Sequence, residues 1–209
     1  MLLIKKNKQS KHLMACILMI SEVFLFESCQ GIGSGHKPTP ADERAVVLAV
    51  LESIACSDRS PLPAAQYRPK LESSIPAVIV VDPKYGAPDR FVFEEPHPFE
   101  LQEAVNALKT IRSETGGISV NEAHFPCKVQ AQVNSKSIPI NWETFRQVFP
   151  GGLAWVAVSR VGLNTKGDIA YIYSHAQWGL LQGESDVWAL SRGPNGQWNV
   201  IQMYPVSRS

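Results

Sequence analysis

Ser159, Asp168 and His175 are the one set in this chain that could be drawn as a catalytic constellation. They supply one residue of each type that nucleophilic acyl transfer needs, on what read as neighbouring strands. A serine becomes a nucleophile only when a histidine lies within hydrogen-bond reach and a carboxylate orients that histidine. The spacing does not enforce this geometry, and chance places these types together in any stretch of similar length. Glu94-Glu95 offers two carboxylates for glycosidic chemistry, but adjacent strand residues face opposite sides, so a solvated charge pair is expected. His97 sits between two prolines and His124 precedes Phe125-Pro126; zinc is disfavoured because neither Cys56 nor Cys127 has a cysteine or histidine at ligand spacing, His124 being the nearest. G-x-S-x-G, HExxH, P-loop, G-x-G-x-x-G and EF-hand patterns are absent from the sequence. The residues therefore predict a non-catalytic binding or structural domain without cofactor or metal. The alternative is a hydrolase with its site near Ser159 and His175.

The segment ahead of these residues sets their compartment. Lys5, Lys6, Lys8 and Lys11 form a basic head, Leu13 to Ile20 is unbroken apolar sequence, and small residues follow Ser28-Cys29. That order is a secretory signal peptide, assigned to residues 1–28. A membrane-crossing helix needs roughly 20 apolar residues, and Glu22 interrupts the run before Phe26. Leu25-Phe26-Glu27-Ser28-Cys29 resembles a loose lipobox, the motif at which bacterial lipoproteins are cut and acylated on cysteine. The resemblance implies lipid attachment at Cys29 and a membrane as partner, with residues 29–38 as a flexible tether. Cleavage nearer Gly31 or Gly33, giving a soluble periplasmic or secreted protein, and retention as an uncleaved anchor are the other outcomes.

Residues 39–209 are long enough for a single domain with a sizeable core. The whole chain carries 20 basic and 19 acidic residues, a formal charge of +1, with no basic block, which excludes the electrostatic footprint of a nucleic-acid binder. Cys16 lies in the signal and Cys29 at the proposed lipid site, leaving Cys56 and Cys127. Outside the cytoplasm two such cysteines read as a disulfide, and two separate buried thiols are the other reading. Closing a loop of about 72 residues would contribute on the order of 4 kcal/mol.

The elements that must carry all this are legible in outline. Thr39-Pro40-Ala41-Asp42 starts a helix whose stripe is Val47, Val50, Leu51 and Ile54. Ala77 to Val81 reads as a buried strand, Phe99 to Arg112 as a second helix, and Cys127 to Val133 as a half-solvated strand. Asn141 caps a short helix carrying Trp142 and Phe145. Leu153–Val161, Asp168–His175, Asp186–Arg192 and Gln197–Tyr204 then read as strands, with Ala176–Ser185 as a longer linker. Their short spacing forces antiparallel neighbours. The expectation is an α+β fold: an antiparallel meander of about four C-terminal strands packed against two or three helices on one face. Trp155, Tyr171, Tyr173, Trp188 and Trp198 are expected in the core, with a stacking platform for sugars or peptides as the alternative.

Ser159-Arg160-Val161-Gly162-Leu163-Asn164, with Trp142, Phe145, Phe149-Pro150, Ala170-Tyr171-Ile172-Tyr173 and Trp198-Asn199-Val200, resembles a family of uncharacterised bacterial cell-envelope proteins. The likeness spans about residues 141–203, and Leu163 stands where the family has an aromatic residue. It implies export to the envelope and an α+β fold, and no activity; the partner expected of a non-catalytic domain is an unidentified envelope protein or small ligand. Physically, Arg160 alternates onto the face of Val156 and Val158 and reads as an architectural hydrogen-bond hub toward Asp168 or Asp186, with an anion site in a pocket as the other reading, while Gly162 and Asn164 serve turn geometry.

Overall fold

The computed structural model describes residues 36–56, 77–82, 99–111, 123–133 and 141–208. Helix α1 (Pro40–Cys56) begins at the predicted capping box: the Asp42 amide donates to Thr39 Oγ1 at 3.1 Å and the Thr39 hydroxyl returns a bond to Asp42 Oδ2 at 2.8 Å. Val46, Val47, Val50, Leu51 and Ile54 are its buried stripe. At roughly 1.5–3 kcal/mol per fully buried aliphatic side chain, that stripe is the main force seating the helix.

The strands form one sheet. They are β1 (Ala77–Asp82), β2 (Ala123–His124), β3 (Val129–Val133), β4 (Gly152–Val158), β5 (Gly162–Leu163), β6 (Ile169–Gly179), β7 (Gln182–Arg192) and β8 (Trp198–Arg208). The order is β2-β3-β1-β4-β6-β7-β8, with β5 beside β6. The stretch β4-β6-β7-β8 is the antiparallel meander read from the sequence. The sheet is larger than expected because β1 pairs in parallel with both β3 and β4. Parallel neighbours need crossover connections, and helices α2 (Phe99–Ile111) and α3 (Trp142–Val148) lie in those two connections.

Helices cover both faces, which corrects the expectation of one. Ile79, Val81, Val156, Val158, Ile172 and Leu190 meet α1. On the other face Tyr171, Tyr173, Val187 and Ala189 meet α2, and Val78 and Val80 meet Phe145 and Phe149 of the α3 region. Strands buried on both faces lose the polar alternation that would have revealed this arrangement. Among the described residues, no helix is long and apolar enough to cross a membrane.

Cys56 at the end of α1 and Cys127 in the β2–β3 turn are disulfide-bonded, with Cα atoms 5.4 Å apart and a sequence separation of 71. The bond ties the end of α1 to the β2–β3 turn at one edge of the sheet and is compatible with an extracellular protein.

Candidate functional site

The Ser159–Asn164 segment is where the chain leaves β4 and resumes as β5 along the same edge of β6. Val158 pairs with Ser174 and Gly162 with Tyr171, so three residues stand opposite two, the count of a β-bulge. Ser159 repairs the ladder there. Its amide donates to the Tyr173 carbonyl at 2.8 Å, and its hydroxyl accepts the Tyr173 amide at 2.9 Å while donating to the Arg160 carbonyl at 2.7 Å. The hydroxyl thus stands in for a missing main-chain acceptor.

Arg160 points to the α1 face, as its alternation predicts, but its partner is neither Asp168 nor Asp186. Its Nε and a terminal amine hold the two oxygens of Glu43 at 2.9 and 3.1 Å. Glu43 lies in the first turn of α1, a helix end that sequence spacing could not bring to this strand. Gly162 serves a close approach: a Cβ there would lie 2.7 Å from the Ala107 backbone of α2. Asn164 closes the β5–β6 turn, accepting the amides of Asp168 and Ile169 at 3.1 Å and donating to Asp168 Oδ1 at 2.8 Å. Each member of the segment that could have done chemistry is holding the fold.

His175 is not brought to Ser159. Its Nδ1 lies 2.9 Å from Ser185 Oγ across the β6–β7 ladder, and the Trp155 ring meets it edge-on at 5.6 Å between centroids. Ser185 is 1% exposed, which encloses the hydroxyl that an external substrate would have to reach. The two residues meet because β6 and β7 continue through Ala176–Ser185, the stretch expected to be a linker. The hairpin closes at Leu180 and Leu181, both exposed. Trp178 and Gly179 gave that stretch the look of a loop, and near-continuous burial along β7 left no polar alternation to mark it as strand.

The same oversight hid an acidic pair. Glu184 and Asp186 sit two residues apart on one side of β7, and both are buried. Burial first, then the neighbouring Glu184 charge and the hydrogen bond between the carboxyls, pushes Asp186 up to about 7; Arg208 acts in the opposite sense. Glu184 is also raised by burial, against its bonds to Asp186 and the Arg208 charge. On α1, Asp42 is the contrasting case. Burial raises it, yet hydrogen bonds from Thr39 and Trp198 and the Arg192 charge hold it below the usual carboxylate range.

The aromatics pack rather than form a platform. Tyr171 and Tyr173 face α2 while Trp188 and Trp198 face α1. The Tyr171 hydroxyl donates to Glu103 Oε2 at 2.9 Å, and burial followed by that carboxylate raises its pKa. A shallow groove of about 450 Å³ runs between α1 and the start of β8, lined by Glu52, Ser53, Cys56, Trp198 and Asn199. Among the described residues, no group of three or more His, Cys, Asp or Glu side chains could hold a metal ion. His124 is exposed on β2; Cys29, Glu94, Glu95 and His97 lie outside the described residues.

No family model matches the chain, and neither the curated proteins nor the solved structures give a match.

Proposed function

We propose that this chain is an exported protein of the bacterial cell envelope, held to a membrane by lipid on Cys29. Residues 39–209 serve as a non-catalytic binding or structural domain. The observation that carries the reading is the Cys56–Cys127 bond, since paired cysteines persist where thiols oxidise. The basic, apolar and small-residue order of residues 1–35 supports the same compartment, and the likeness of residues 141–203 to envelope proteins agrees with it. Two or more acyl chains, at about 0.8 kcal/mol per buried methylene, would make the attachment durable.

The non-catalytic part of the reading is supported by Ser159, whose hydroxyl is spent on the Tyr173 amide and the Arg160 carbonyl. The shallow groove between α1 and β8 offers one surface that a small ligand or a peptide side chain could occupy. Metabolic labelling with a palmitate analogue tests the anchor. Label on the wild type that disappears in Cys29→Ala supports it. Label surviving that substitution, or none on the wild type, removes it and leaves the cleaved soluble form.

A further inference from the structure

Glu184 and Asp186 lie near the hairpin end of β7, opposite Arg208 and Pro205 of the final strand β8. The two residues are 8% and 2% exposed, and they stand two apart on one side of β7, where burial and the Glu184 charge both oppose ionisation of Asp186. Asp186 Oδ1 has no hydrogen-bond partner. From β6 the ladder opposes them with Ser174 and Ala176, neither charged, and the Ser174 hydroxyl accepts the Trp188 indole at 2.8 Å. Apart from Glu43, which Arg160 engages, α1 buries only apolar side chains on this face.

From β8 the opposing residues are Pro205 and Arg208. Pro205 supplies no amide to the ladder, and the register shifts between Ser185 and Asp186. Arg208 reaches Glu184 at 3.9 Å but is 68% exposed, so water screens most of its attraction. The acid pair therefore lies under an irregular stretch of the β7–β8 ladder, where a proline and a register shift fall together.

We propose that Glu184 and Asp186 form a proton-operated clasp for the end of β8. While Asp186 holds its proton, Pro205–Arg208 stays on β7. When that proton leaves, two buried charges stand side by side. Their repulsion is relieved by hydration, which enters where Pro205–Arg208 lifts away. The Asp186 side chain, raised to about 7 by burial and its neighbour, sets the step near neutrality. A raised folded-state pKa contributes stability that is full below the unfolded value and lost as pH rises through the folded one. The clasp is accordingly closed in mild acid and open in mild alkali. Opening uncovers the main-chain edge of β7 around Ser185, which can accept another strand. The inference does not depend on export or on the lipid.

Amide hydrogen exchange of the full-length protein in detergent, corrected for intrinsic rate, tests it at about pH 5 and about pH 9. Protection of Val206–Arg208 should fall about tenfold or more across that interval while that of Asn199–Ile201 changes little. Asp186→Asn, which cannot ionise, should abolish the step. Should that variant fail to fold, Glu184→Gln removes the like charge and should move the step to lower pH. Unchanged protection at Val206–Arg208, loss spread evenly along β8, or a step that both variants leave in place would overturn the clasp.

Discussion

Arg160 and Glu43 are joined at two points, Nε to Oε1 at 2.9 Å and a terminal amine to Oε2 at 3.1 Å. The pair fastens the break between β4 and β5 to the first turn of α1. The Val161 amide lies 3.4 Å from the same Oε1, so one carboxylate serves two donors of the irregular segment. Its position near the helix N-terminus also suits the helix dipole. Arg160→Met strands a carboxylate that is 11% exposed, and about 2 kcal/mol of stability should be lost, below the cost of a fully buried pair. Urea unfolding measures this; a loss under about 0.5 kcal/mol would show that the pair does not hold α1.

Ser159→Ala leaves the Tyr173 amide without its acceptor. The expected cost is about 1–3 kcal/mol, the penalty for a buried unsatisfied donor. The full-length protein should also fail to react with a fluorophosphonate at either Ser159 or Ser185. Covalent labelling of one of these serines would revive the hydrolase reading.

Gly162→Ala places a methyl 2.7 Å from the Ala107 backbone. Helix α2 must then withdraw from β5, at about 1–3 kcal/mol for overpacking. Thermal unfolding checks the loss, and an unchanged midpoint would mean that the helix yields freely.

Asp42 gives the acid limb of stability. Its carboxyl is held below its ordinary value through Thr39, Trp198 and Arg192, against the opposing effect of burial. A depressed folded-state pKa contributes stability that is present above the unfolded value and lost as pH falls through the folded one. Asp42→Asn should therefore lower stability at neutral pH and flatten its decline toward acid. Urea midpoints at several pH values read both effects, and parallel curves for variant and wild type would contradict them.

Much of the fold was legible from local signals. Thr39 and Asp42 marked the start of α1, Asn141 capped α3, and the short spacing between the C-terminal strands demanded antiparallel pairing. Two faces of helices were not legible, because β1 and β4 are buried on both sides and show no polar alternation. Arg160 could be assigned a face but not a partner, since Glu43 is 117 residues away in sequence. The His175–Ser185 contact and the Glu184–Asp186 pair were hidden by one error. Trp178, Gly179 and Gly183 made the strand ends look like a linker, although the hairpin needs only Leu180 and Leu181 to turn. Cys56 and Cys127 were the long-range contact that counting alone could propose, because no other cysteines competed for them.

The intact mass of the protein recovered from cell membranes tests the central claim most directly. The account predicts a chain that starts at an acylated Cys29 and carries Cys56 and Cys127 without free thiols. An uncut chain beginning at Met1, recovered from the cytosol with both thiols free to alkylate, would contradict it.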